Sequence, residues 1–201
     1  MIRVLIAEDQ ALVRGALRAL LELEDDLEVV AEVGRGDAVV HAAREHRPDV
    51  ALLDIEMPGG DGIEAARALG AAVPGCRAVI LTTFGRPGFL RRAMEVGAAG
   101  FLVKDAPVAE LARGIRAVMA GERVIDRDLA AAALAIGATP LSTREADVLR
   151  AAVDGATVAD IAGRLFLSEG TVRNYLSSAI GKTGARTRVE AARVAAEKGW
   201  L

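Results

Sequence analysis

The sequence predicts an α/β domain built on a doubly wound, five-stranded parallel sheet, followed by a smaller all-α domain of four helices. Three observations carry that expectation. Short apolar runs alternate with amphipathic segments through the first 120 residues; no strand signal follows Pro140; and an acidic front gives way to a mildly basic back. Five strand–helix units in a row fit a parallel sheet with helices on both faces, whose ligands gather beyond the carboxyl ends of the strands.

The first strand, Ile2–Ala7, runs into Glu8-Asp9 and then into a helical pattern over 10–23, where Leu12, Ala16, Leu20 and Leu23 mark an apolar stripe. Leu27–Val33 and 36–46 form the second strand and helix, Val50–Leu53 and 61–70 the third, and Arg77–Leu81 and 87–96 the fourth. Gly100–Val103 and 107–119 complete the series, the last helix carrying a stripe of Val108, Leu111, Ile115 and Val118. The strand runs are continuously apolar, as strands covered on both faces require. Residues 121–139 are Ala-rich and end in Gly137-Ala138-Thr139-Pro140, which reads as a linker with a short helix near 127–136.

Behind the linker, helices are expected near 142–153, 157–165, 168–182 and 187–198. Ser142 and Glu145 have capping-box spacing, Thr157 and Ser168 suit the next two N-caps, and Gly155 and Gly184 mark turns. The expected organisation is therefore a domain over 1–120, a linker over 121–139 and a helical domain over 140–201.

Composition narrows the class. With 52% apolar and 26% charged residues in 201, the chain has the makeup of a globular protein with two cores. No apolar run approaches the roughly 18 residues that span a bilayer, so no membrane insertion is expected. The opening strand meets acidic residues at once, unlike a signal peptide, and a single Cys76 allows no internal disulfide. A reducing cytoplasm is the expected setting. The net charge of −3 divides unevenly: residues 140–201 carry nine basic and seven acidic side chains, so the front holds −5 and the back +2. That asymmetry suits a phosphoryl or metal site followed by a nucleic-acid module.

Three carboxylates fall just beyond predicted strands: Glu8 and Asp9 after the first, Asp54 after the third. With strand order 2-1-3-4-5 the first and third strands are neighbours, and all three carboxylates crowd one crevice. Like charges raise one another's pKa, and a hard divalent cation such as Mg²⁺ relieves the repulsion with oxygen ligands. Lys104 beyond the fifth strand adds a compact positive charge, and Thr82 at the end of the fourth a hydroxyl donor. These parts suit attack by a carboxylate on phosphorus, with Asp54 as nucleophile.

Glu8-Asp9, Leu53-Asp54-Ile55-Glu56-Met57-Pro58-Gly59-Gly60-Asp61-Gly62, Leu81-Thr82-Thr83 and Phe101-Leu102-Val103-Lys104-Asp105 resemble the flavodoxin-like receiver domain of two-component systems. The resemblance implies a sensor histidine kinase as partner and Mg²⁺ held by Glu8, Asp9, Asp54 and the backbone carbonyl of Glu56. It implies Asp54 as phospho-acceptor, Thr82 and Lys104 as its catalytic helpers, and Thr82 with Phe101 as the switch. The acidic pair is Glu-Asp where many receivers have Asp-Asp, and Asp105 stands where many have Pro.

In the third tail helix Val172, Leu176, Ala179, Ile180 and Thr183 form a packing face, opposite Arg173, Asn174, Ser177, Ser178 and Lys182. Arg173 and Asn174 on the first turn suit base edges in the major groove of double-stranded DNA; Ser168, Thr171 and Lys182 suit phosphates. Leu141-Ser142-Thr143-Arg144-Glu145, Val158-Ala159-Asp160-Ile161-Ala162, Leu167–Tyr175 and Arg188–Ala192 resemble the LuxR-type helix-turn-helix, a four-helix module. With the receiver in front, the whole resembles the NarL/FixJ class, and within it the DesR-type regulators of membrane-lipid desaturation. The likeness implies a transcription regulator, not a turnover enzyme, that forms a homodimer on phosphorylation. The apolar stripes of the first and fifth helices are the expected contact.

Three patterns are set aside. Gly181-Lys182-Thr183 ends like a phosphate-binding loop but lies inside a helix, and Gly34-Arg35-Gly36 lacks the third glycine of a dinucleotide loop, having Val39 there. His41 and His46 share a helix without a third ligand. Two other functions compete with regulation by DNA binding. An aspartyl-phosphate hydrolase would need a second acid near Asp54, for which Glu56 is the nearby candidate; a receiver acting through protein contacts alone would need no DNA.

Overall fold

Strand β1 (Ile2–Ala7) lies at the centre of the first half of the sheet, flanked by β2 (Leu27–Val33) and β3 (Val50–Asp54), both parallel to it. β4 (Arg77–Thr82), β5 (Gly100–Val103) and β6 (Val124–Ile125) extend it in parallel to give the order β2-β1-β3-β4-β5-β6. The computed structural model describes residues 1–82, 87–104, 107–126, 129–131, 139–153 and 155–201. Thr83, Asp105 and most of the short helix expected near 127–136 lie outside them. The chain divides into two compact units, with the main break after Ala130.

The sheet therefore has six strands where the sequence predicts five. β6 falls inside the expected linker, where Val124 N donates to Ala99 O at 3.2 Å. Two residues are too few for any periodicity to register, and only the open edge of β5 makes them a strand.

Helices α1 (Ala11–Leu21) and α5 (Val108–Met119) touch each other on one face of the sheet. α2 (Val39–His46), preceded by a 3-10 turn, and α3 (Gly62–Ala72) cover the other, and α4 (Pro87–Glu95) follows β4. Strand residues alternate between two cores: Val4, Ile6, Leu52, Val79 and Leu81 pack with Leu21, Leu111, Ile115 and Val118. Leu111, Ile115 and Val118 of the expected α5 stripe are thus core, as its periodicity predicts; the side chain of Val108 lies outside the description.

The α1 stripe is corrected. Leu12 is 86% and Leu23 77% exposed, while Leu17 and Leu21 face the sheet. Apolar residues surround this helix on nearly every side, so periodicity alone cannot choose its buried face.

The second unit contains α6 (Thr143–Ala152), α7 (Val158–Leu165), α8 (Glu169–Thr183) and α9 (Arg188–Glu197) around Leu141, Leu149, Ile161, Val172, Leu176 and Ala191. Ser142 and Thr157 each head a complete capping box, and Ser168 accepts from Thr171 N. Fully buried aliphatic side chains such as Val148 and Leu149 each contribute about 1.5–3 kcal/mol by leaving water.

Candidate functional site

Parallel register brings the acidic residues together. Ala7 pairs with Leu53, so Glu8 and Asp54 emerge side by side at the carboxyl ends of β1 and β3. Asp54 pairs with Leu81, which sets Thr82 one step further along, and Thr82 O accepts from Lys104 N at 2.7 Å. One carboxylate oxygen each from Glu8, Asp9 and Asp54 lies within 4.8 Å of the others. Lys104 Nζ is 2.5 Å from Glu8 Oε2 and 2.9 Å from Asp54 Oδ1.

The neighbouring backbone is held just as closely. Arg14 Nη1 donates to Glu8 O at 2.5 Å, and Gln10 N donates to Glu8 Oε1 at 3.2 Å. Gly62 opens α3 against the site: a Cβ there would sit 1.9 Å from Asp54 O, so any larger residue pushes the helix off the end of β3. Asp61 caps that helix by accepting from Glu64 N at 2.7 Å.

The electrostatics follow from burial. Glu8 is 1% exposed, and Asp54 and Thr82 are also buried, whereas Asp9 faces solvent. Burial pushes the Glu8 carboxyl up, more than the hydrogen bond from Lys104 pulls it down, and the Asp54 charge adds to the push. Burial also acts against the Lys104 ammonium, yet its bonds to Glu8 and Asp54 hold it above the usual lysine range. Three carboxylates face one ammonium. The cluster lacks positive charge, and its donors are hard oxygens, the set that fits Mg²⁺.

Of the other expected site residues, Glu56 lies in the bend after β3 with its side chain exposed, and Phe101 is fully buried in β5. Cys76 is buried and its thiol is pushed up to about 12 by burial and then by Asp49, which leaves it inert as a nucleophile.

On α8, Val172, Leu176, Ala179 and Thr183 are buried, and Arg173, Asn174 and Ser177 are exposed. Arg173 Nη2 is 2.6 Å from Glu169 Oε2 one turn earlier. Ser168 and Thr171 hydroxyls lie 2.8 Å apart at the start of the helix.

Lys182 has a partner on a neighbouring helix. Its Nζ is 2.7 Å from Glu145 Oε2 on α6, and Ser178 Oγ donates to Glu145 Oε1 at 2.6 Å. Glu145 is 4% exposed and also accepts from Ser142 N at 2.6 Å. Burial pushes its carboxyl up, but the hydrogen bonds from Lys182, Ser178 and Ser142 win and hold it at about 2. Lys182 and Ser178 therefore tie α8 to α6. The sequence signals Glu145 only as a capping residue; Ser178 and Lys182 lie more than thirty positions away.

Comparison with known proteins follows the same division. A family model described as "Response regulator receiver domain" matches residues 4–116, and one described as "Bacterial regulatory proteins, luxR family" matches residues 139–195. The chain is 46% identical over its whole length to the full "Transcriptional regulatory protein DesR" of Bacillus subtilis (strain 168). The crystal structure of the response regulator ChrA, from a heme-sensing two-component system, is 34% identical with a TM-score of 0.60, covering 100% of this chain and 98% of that one. A structure of two RcsB dimers bound to two parallel DNAs is 25% identical with a TM-score of 0.70, covering 98% of each chain.

Proposed function

Because this chain belongs to the two-component response regulators with a LuxR-type DNA-binding domain, we propose that phosphorylation of Asp54 by a sensor histidine kinase controls its binding to DNA. The family consists of transcription regulators, not turnover enzymes. The observation that carries the proposal is the meeting of Glu8, Asp9, Asp54 and Lys104 at the ends of three strands.

In this reading a carboxylate oxygen of Asp54 bonds to phosphorus as the bond from phosphorus to the donor histidine nitrogen breaks, the electron pair staying on nitrogen. Glu8, Asp9, Asp54 and the Glu56 carbonyl would hold Mg²⁺, which would supply neutralisation of charge on the transferred oxygens. Lys104 exchanges its bond to Asp54 for one to a phosphoryl oxygen, and the Thr82 hydroxyl donates to another. Movement of Thr82 opens space beside buried Phe101, whose repacking carries the change to the surface.

The receiver comprises residues 1–120 together with β6, which lies inside the stretch 121–139 expected as linker, and residues 140–201 are the DNA-binding part. Arg173, Asn174 and Ser177 read base edges, and Ser168 and Thr171 take phosphates with the helix N-terminus. Lys182, bound to Glu145, orients this helix. Phosphorylation promotes a homodimer; the support is the exposed Leu12 of α1 and Leu23 in the turn beyond it, since Leu111, Ile115 and Val118 of α5 are core. Action in the cytoplasm and control of membrane-lipid genes, the latter implied by the likeness to DesR-type regulators, complete the proposal.

The test is intact mass after exposure to Mg²⁺ and acetyl phosphate. The chain gains one phosphoryl group, and Asp54→Asn gains none; equal uptake by the variant defeats the assignment. Ultracentrifugation with a phosphoryl mimic shows a dimer, and a persistent monomer at high concentration removes that part. Sequencing of captured genomic fragments either enriches lipid-modifying genes or rejects that target class.

A further inference from the structure

Helix α7 ends in a backbone closure that selects for glycine, yet this chain has an aromatic residue there. Leu167 N donates to Ala162 O at 2.9 Å and Phe166 N to Gly163 O at 3.5 Å, the paired bonds of a Schellman ending. The closure puts Phe166 in the left-handed region at φ 55, where a side chain bearing a Cβ is disfavoured. α8 ends with the same handedness on Gly184 at φ 69, the residue this geometry favours.

Packing does not account for the choice. Phe166 is 96% exposed, so its ring stays in water and contributes no burial to the core around Ile161 and Val172. A bulky ring in a strained backbone, with its face left wet, gives the folded domain nothing that glycine would not. Such an outlier marks a binding role.

Position identifies the partner. Phe166 lies two residues before Ser168, the N-cap of the helix read above as the DNA reader, and beyond half-buried Leu167 the residues Ser168, Glu169 and Gly170 are exposed as well. Arg164, in the last turn of α7, is exposed just before it. We propose that Phe166 is a DNA-contacting residue that packs against apolar groups at the edge of the major groove, a thymine methyl or a deoxyribose face. The inference rests on α8 as the reading helix and adds an apolar contact to its polar ones. Phe against a thymine methyl is one of the few apolar ways to read a base.

The experiment uses the full chain, a phosphoryl mimic and a duplex selected by the protein from random DNA. Phe166→Gly relieves the backbone, so the midpoint of thermal unfolding, followed by fluorescence of the single Trp200, rises. Its DNA affinity falls about tenfold. The dependence of affinity on salt stays that of the parent, since no charge is lost. Phe166→Asn behaves likewise, and Phe166→Tyr keeps the affinity. Deoxyuridine in place of thymine weakens the parent and leaves Phe166→Gly unchanged if the methyl is the partner; if the ring packs on deoxyribose, only the Phe166 variants weaken. Parent-like DNA affinity in Phe166→Gly overturns the proposal, including the case in which transcription by RNA polymerase falls and the ring proves to be a protein contact. Arg173→Ala is the control: weakened binding there with none in Phe166→Gly rejects this inference alone, whereas no loss in either rejects α8 as the reader.

Discussion

In the first unit Lys104 faces Glu8 and Asp54; in the second Lys182 faces Glu145. Both clusters set a lysine against buried carboxylate, and their charge balances are opposite. The first holds three carboxylates against one ammonium, and burial leaves Glu8 reluctant to ionise. The second holds one carboxylate, and Lys182, Ser178 and Ser142 N all donate to it. A surplus of negative charge makes a site that attracts a cation. A balanced cluster makes a tie between helices.

Four experiments can break or sharpen this contrast. The largest effect is expected from Mg²⁺: at a hundredfold excess over Kd it stabilises the first unit by about 2.7 kcal/mol. It leaves the Trp200 unfolding signal of the second unit unchanged, and Glu8→Gln with Asp9→Asn removes the gain. Calorimetry that finds equal Mg²⁺ stabilisation of both units erases the distinction. Next, Glu145→Ala strips the partner from Lys182, Ser178 and Ser142, and destabilises the second unit by about 1–3 kcal/mol in denaturant titration. A change confined to a few tenths means that the tie contributes only capping.

The third is acid sensitivity. The Glu145 carboxyl is held at about 2, below its ordinary 4.5, so its contribution is complete above pH 4.5 and is lost as the pH falls toward 2. Glu145→Gln flattens the stability of the second unit over that window, and an unaltered acid slope contradicts the assignment. The smallest effect is expected from Lys182→Met. The ammonium is already paired, so the slope of log affinity against log salt changes little. A drop of about one in that slope restores Lys182 to the phosphate-contacting set.

Much of the architecture was legible because burial on both faces demands continuous apolar runs. The five longer strands begin where the sequence predicts, and differ at their ends by at most one residue. Glu8 and Asp54 could be placed together from strand order alone, since neighbouring parallel strands deliver their carboxyl ends to one edge. The α1 face could not be chosen, because Leu12 and Leu17 look equally apolar in sequence while only one faces the sheet. β6 was hidden by its length. Gly62 stands in the expected motif, but its need for a bare backbone becomes visible only when Asp54 O approaches it.

The sequence by itself determined the two-part plan, the caps of the tail helices, the acidic pocket and the polar face of α8. Each of these depends on spacing within one element or on the order of elements. Tertiary structure decided which charges balance: that Lys104 is shared between two carboxylates, that Lys182 belongs to Glu145, and that Phe166 has no neighbour to bury it. Charge compensation and desolvation act over a few ångströms in space, and residues far apart along a chain carry no mark of that distance until it has folded.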